Sequence, residues 1–279
     1  MRIKNKKLRI LLSRKLSVAA AVVLIIMILT AFIGPFLTTY DPHEMDLSRR
    51  YAGISREHWL GADHMGRDLF TRIVHGGQTS IGLAFFGVSI GVSFGLLLGL
   101  ISGYYGGIID VLASRFIDFL MAVPTFMIAI ISLAILGSGG INSGIAVGIS
   151  TIPLFMRIAR AQVLVVRESE HVKAALMTGV SDLRIIMTYI LPEVLPLIVV
   201  AFTINLGTAL LTISILAYLG IGVTLPTIEW GSIMSGGRGV MIAFPLGVIA
   251  PGIAVTLFVT CTSLLGDGLK DAFDPKAGE

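Results

Sequence analysis

Charge is what this sequence has least of. Only 14% of its 279 residues are Asp, Glu, Lys or Arg, against about 25% in a soluble domain. Hydrophobic residues make up 55%, and the mean hydropathy is +0.90. That composition is expected of an integral membrane protein. Cysteine occurs once, as Cys261, which excludes an intrachain disulfide. No Gly-Lys pair occurs, which excludes a G-x-x-x-x-G-K-[ST] nucleotide loop. There is no H-E-x-x-H motif, and no apolar run carries the paired acids or His of an intramembrane hydrolase or proton pump. A membrane enzyme is therefore the least supported class, and energy for uphill transport has to enter through a partner. The net charge of +4 does not point to nucleic acid, because the positive residues concentrate beside apolar runs.

What is present is a series of six apolar runs, at about 17–37, 78–102, 111–136, 142–163, 193–220 and 242–266. Crossing the hydrocarbon takes about 20 residues. The first run follows a basic segment (Arg2, Lys4, Lys6, Lys7, Arg9, Arg14, Lys15) and is longer than the roughly 7–15 apolar residues of a secretion signal, so it is expected to be retained. With the N-terminus inside, 15 of the 21 Lys and Arg fall on the cytoplasmic side, and Arg49, Arg50, Arg56, Arg67, Arg72 and Arg238 fall outside. The positive-inside rule supports that orientation, with both ends in the cytoplasm. The expected fold class is an all-α polytopic membrane protein. Its expected parts are a basic segment 1–16, a first span 17–37, an outer loop 38–77, a core 78–268 and a tail 269–279.

Several features inside this frame invite a functional reading. Gly87, Gly91, Gly95, Gly99 and Gly103, with Gly107 beyond them, form a ridge of small residues on which another helix can approach closely. Arg115 and Asp118 share a face at i,i+3, and Pro124 and Pro153 are expected to kink the third and fourth spans. Asn205, Thr208 and Thr212 share a face of the fifth span. They read either as a polar stripe on a translocation path or as hydroxyls and amides bonded within the helix bundle. A self-sufficient channel or secondary transporter would rest on that stripe alone. The outer loop holds His43, His58, His64 and His75, but their spacing fits no standard zinc pattern. In the last outer loop, Glu229 and Trp230 are candidates to cap an outer mouth or dock a partner.

The longest polar interruption in the second half is Glu168 to Pro192, which reads as two short helices bent around a glycine. Ser169 and Ser181 stand at N-cap positions, Gly179 supplies a left-handed residue, and Asp182 lies in the first turn of the second helix. Leu183, Ile186, Met187, Ile190 and Leu191 form an apolar stripe, and Pro192 marks the start of a third, long helix. The topology puts this hairpin in the cytoplasm, where a partner can hold it.

Four stretches give the chain a family resemblance. They are HWLGADHMGRDLFTR at 58–72, KAALMTGVSDLRIIMTYILP at 173–192, YLGIGVTLPTIEWGSIM at 218–234 and GDGLKDAFDP at 266–275. The sequence resembles the C-type permease subunit of bacterial ATP-binding-cassette importers for dipeptides, oligopeptides and nickel. Ala174, Ala175, Gly179, Leu191 and Pro192 match the "EAA" loop of such permeases, while Lys173 stands where the general motif has Glu and Tyr189 where it has Ile. The resemblance implies a type I importer permease fold with six transmembrane helices. It also implies a heterodimer with a second permease, two ATPase subunits that use ATP and Mg, and an extracytoplasmic substrate-binding protein, with no cofactor bound by this chain. It assigns coupling to the ATPase to the hairpin, through Glu170, Lys173, Ala174, Ala175, Thr178, Gly179 and Asp182. Nickel or a metal chelate is the alternative cargo to peptides.

Overall fold

A computed structural model of the protein describes residue 10 and residues 12–273. Most of the basic segment 1–16 and the end of the tail 269–279 lie outside the described residues. The chain is helical: α1 (Lys15–Ile33), α2 (Leu69–Tyr105), α3 (Gly107–Met121), α4 (Thr125–Leu136), α5 (Gly140–Arg167), α6 (Glu170–Met177), α7 (Asp182–Ile185), α8 (Leu191–Tyr218), α9 (Trp230–Arg238) and α10 (Leu246–Phe273). Five helical runs are long and apolar enough to cross a membrane. A sixth crossing is made if α3 and α4 count as one broken span.

The glycine row organises the centre of the bundle. In a bilayer, lipid is as apolar as a side chain, so helices are held by close packing and not by exclusion of water. The backbones of α2 and α5 approach so closely that an added Cβ at Gly95 would lie 2.8 Å from the Ile152 carbonyl oxygen, and one at Gly99 would lie 2.7 Å from that of Met156. Gly91 faces the Thr151 hydroxyl in the same way. Gly107 stands apart, with open space where its Cβ would be, so the ridge ends at Gly103.

The third span is not a kinked rod, as a proline within it suggested. α3 and α4 meet at 92°, with Pro124 at the N-cap of α4. The bend gives α3 a path of its own, and Asp110 in its first turn pairs with Arg160 of α5 through two contacts, one of them 2.6 Å. This ion pair, and not Arg115 with Asp118, is the salt bridge at that level of the bundle.

The outer loop folds around two carboxylates. Asp63 accepts from the Met65 and Arg67 backbone N–H groups at 2.8 and 3.1 Å and from Arg67 Nε at 2.8 Å, closing a tight turn. Asp68 N-caps α2 through the Thr71 N–H at 2.7 Å and holds His58 Nδ1 at 2.9 Å. Trp59 packs on Phe70 with ring centroids 4.9 Å apart.

A second lock joins three elements at the outer side. Glu229 is fully buried at the N-cap of α9. One carboxylate oxygen accepts from Ser80 of α2 at 3.0 Å and from Ser214 of α8 at 2.7 Å, and the other accepts from the Ser232 N–H at 3.0 Å. Trp230 donates to the Ile73 carbonyl at 2.8 Å. Glu229 is thus an internal fastener and is not available to dock a partner, in contrast to the sequence expectation. Burial pushes its carboxyl above the usual range, against the opposing pull of its hydrogen-bond donors.

Two outcomes follow for stability, both read by thermal unfolding in detergent. Gly99→Leu should destabilise by about 1–3 kcal/mol or more, whereas Gly82→Leu, where an added Cβ meets nothing, should leave the transition unchanged; equal effects would refute the ridge. Glu229→Ala strands buried donors and should cost about 2–4 kcal/mol. Because the folded carboxyl is raised, its contribution is full below the ordinary value of 4.5 and is lost as pH rises through the folded value. Glu229→Gln should flatten that slope, and an unchanged pH dependence would contradict the assignment.

Candidate functional site

The polar interruption at 168–192 is built from local rules. α6 ends in a Schellman turn: the Val180 N–H bonds the Ala175 carbonyl at 3.3 Å, and the Gly179 N–H bonds that of Leu176 at 3.1 Å. Gly179 sits at φ +75°, a left-handed position that glycine adopts without strain, and open space surrounds its Cα. Ser169 and Ser181 occupy the N-cap positions with extended backbone, but neither side chain caps its helix; the Ser169 hydroxyl donates back to Val166 O.

The second arm departs from the sequence reading. Pro192 does not begin a separate helix. α7 passes through a π-helical segment, Ile186–Ile190, straight into α8, giving one run from Asp182 to Tyr218. The wider π turn shifts the register of the arm. Ile185, Ile186 and Ile190 are buried, while Leu183 and Met187 of the expected stripe are exposed.

On α6, Val172 and Ala175 face inward, and Glu170, Lys173, Ala174 and Thr178 lie on the exposed side. Thr178 donates to the Ala175 carbonyl at 2.9 Å. Leu176 and Met177 are also exposed, Met177 by 90%, so the outer face of the hairpin is apolar as well as polar. Lys173 pairs with Glu168 at 2.9 Å, which holds the Glu168 carboxyl below its usual range. His171 meets Glu193 in the first turn of the α8 run at 3.2 Å. Asp182 accepts from the Tyr104 hydroxyl at 2.8 Å, and Arg167 lies over the Tyr104 ring. The hairpin is therefore tied to the inner end of α2 as well as to α8. Sequence reasoning missed Tyr104, and no local signal marks it.

The polar residues of α8 lie elsewhere. Asn205, Thr208 and Thr212 line a cavity of about 330 Å³, whose other walls include Val123 and Phe126 at the α3–α4 bend and Thr151 of α5. Asn205 donates to Ala201 O and Thr212 to Thr208 O, both at 2.8 Å. All three residues therefore line the cavity, and Asn205 and Thr212 also bond back to their own helix. The hairpin and this cavity are separate places, about 35 Å apart along a helix that rises 1.5 Å per residue from Asp182 to Asn205.

The outer histidines do not gather. His58 is paired with Asp68, His75 with Thr38 at 3.2 Å, and among the described residues no group of three His, Cys, Asp or Glu side chains is placed to hold a metal.

Comparison with known proteins agrees with this architecture. The profile of the family described as "Binding-protein-dependent transport system inner membrane component" matches residues 95–279, and that of the "N-terminal TM domain of oligopeptide transport permease C" matches residues 7–53. The chain is 41% identical over 262 residues to the dipeptide transport system permease protein DppC of Alkalihalophilus pseudofirmus. It is 40% identical to the glutathione transport system permease protein GsiD of Escherichia coli O1:K1, and each match covers 94% of this chain and 86% of the relative. A chain from an inward-facing crystal form of the MetNI methionine ABC transporter has the same fold, with a TM-score of 0.57 at 20% identity over 74% of this chain and 98% of that one. The chain belongs to the family of inner-membrane permease components of binding-protein-dependent ABC importers, subunits that work with ATPase and substrate-binding partners.

Proposed function

We propose that this protein is one of two different permease subunits forming the pore of an ATP-driven importer of di- and oligopeptides, and that the 168–192 hairpin receives the force of ATP hydrolysis. The peptide cargo is supported by the names of the relatives, and the heterodimer by the C-type resemblance. Two ATPase subunits bind ATP and Mg below the membrane, and a binding protein delivers cargo from outside. This chain contributes no nucleotide site and no chemistry.

The observation that carries the coupling role is mechanical. α6 offers an exposed face bearing Glu170, Lys173 and Met177, and its second arm runs without a break into the helix that carries Asn205, Thr208 and Thr212. A partner that holds α6 and moves it carries α8 along, and the walls of the cavity shift. The Tyr104–Asp182 bond passes the same displacement to α2. Such a device is a two-state element biased from a distant site. With Lys173 engaged by Glu168, the docking interaction relies on the shape of α6 and its apolar rim more than on an acidic contact at its start.

Gly179→Val places a β-branched side chain at a left-handed position without a steric clash, so it strains the turn alone. In the reconstituted importer it should lower peptide uptake at least tenfold while ATP hydrolysis persists and the chain still inserts. Uptake that stays coupled to hydrolysis at the wild-type ratio would count against the hairpin as the transmitting element.

A further inference from the structure

A second cavity, of about 450 Å³, lies on the outer side between the 61–72 segment and α9. Its size falls within the range of small-molecule sites, roughly 300–1,000 Å³. Val223 and Phe244 give it apolar walls, Ser232 and Ser235 contribute hydroxyls, and Asp63, His64, Arg67 and Arg72 supply the charged and titratable side.

The charges on that wall do not balance. Arg67 is paired with Asp63 through Nε at 2.8 Å and Nη2 at 2.7 Å, to the same carboxylate oxygen. Arg72 reaches that oxygen only at 3.7 Å, beyond hydrogen-bond length. Its Nη1 donates to Pro42 O at 2.9 Å, but its Nε is buried with no hydrogen-bond partner. Both guanidinium groups are buried, with side-chain exposures of 7% and 4%. The other nearby carboxylate, Asp68, is engaged by His58 and the Thr71 N–H. Two buried cations therefore share one anion. The Asp63–Arg67 pair and the backbone bonds to Asp63 already close the turn, so the second cation is not needed to fold it, and an incompletely paired buried charge is costly. His64 registers the same field. Burial lowers its tendency to protonate, Asp63 opposes this, and Arg67, Arg72 and Arg50 add to the lowering. A site of this kind is completed by a ligand that brings a negative charge.

We propose that the outer cavity binds the C-terminal carboxylate of a short peptide, with Arg67 and Arg72 as its cationic wall and α9 as its opposite wall. This rests on the peptide-import reading for its ligand, and adds to it a contact made by the permease itself.

The test uses the assembled permease–ATPase complex in nanodiscs without its binding protein, so that selectivity of the binding protein does not enter. Binding of alanyl-alanine and of alanyl-alanine amide is compared by saturation-transfer NMR titration. The free acid should bind saturably and the amide at least fivefold more weakly. Arg72→Gln should weaken acid binding by a similar factor. Because that variant can disturb the loop, His64→Glu serves as the second: it adds a negative charge to the wall without touching the Asp63–Arg67 pair, and it should also weaken binding at least fivefold. Equal binding of acid and amide, no binding of either, or full binding by His64→Glu overturns the site. Uptake by the complete importer separates the two readings. Alanyl-alanine uptake without carboxylate-dependent binding overturns the site and leaves peptide import standing. Carboxylate-dependent binding without uptake keeps the site and overturns peptide import.

Discussion

The contact on which the structure depends is the glycine-lined approach of α2 to α5. Within lipid no hydrophobic force draws two helices together, so their association is limited by how closely their backbones can come. Glycine at four-residue intervals removes the side chains that would hold them apart, and the Ile152 and Met156 carbonyls sit where a Cβ would have been. The resulting pair is a closely packed slab. α8 packs beside it, α10 packs against α8, α1 packs along α10 and α2, and the broken α3–α4 span wraps one side, held by the Asp110–Arg160 ion pair.

Function then becomes a question of which parts are fastened to the slab and which are levers. On the outer side Glu229 binds α2, α8 and α9 together in a buried knot of hydrogen bonds. On the inner side the hairpin is joined to the bundle through Asp182, His171 and the buried isoleucines of the π segment. The Asn205–Thr212 cavity lies along α8 between these two ends.

The sequence announced the parts whose signal is local. Glycines four apart predicted a ridge, and Gly179 predicted the left-handed turn. Parts set by register or by distant partners were not legible. Pro192 resembles a helix start because proline is welcome in a first turn, yet a π turn just before it lets the chain continue as one helix. Serines at 169 and 181 mark the right positions without making the capping bonds. Glu229 followed by Ser232 carries a capping-box pattern, but its burial depends on Ser80 and Ser214, which come from other helices. Tyr104 and Asp182 meet across 78 residues, a pairing that no periodicity reveals.

The central claim is that the hairpin and α8 move as one body. It is tested most directly by pulsed electron-electron distance measurements on the reconstituted importer, with Cys261 replaced and nitroxide labels at the exposed positions Met177, Ile131 and Leu211. The account predicts that the Met177–Leu211 distance stays fixed when ATP is added, while the Ile131–Leu211 distance between α4 and α8 changes. A Met177–Leu211 distance that shifts while Ile131–Leu211 does not would show the hairpin flexing without moving the helix, and would contradict it.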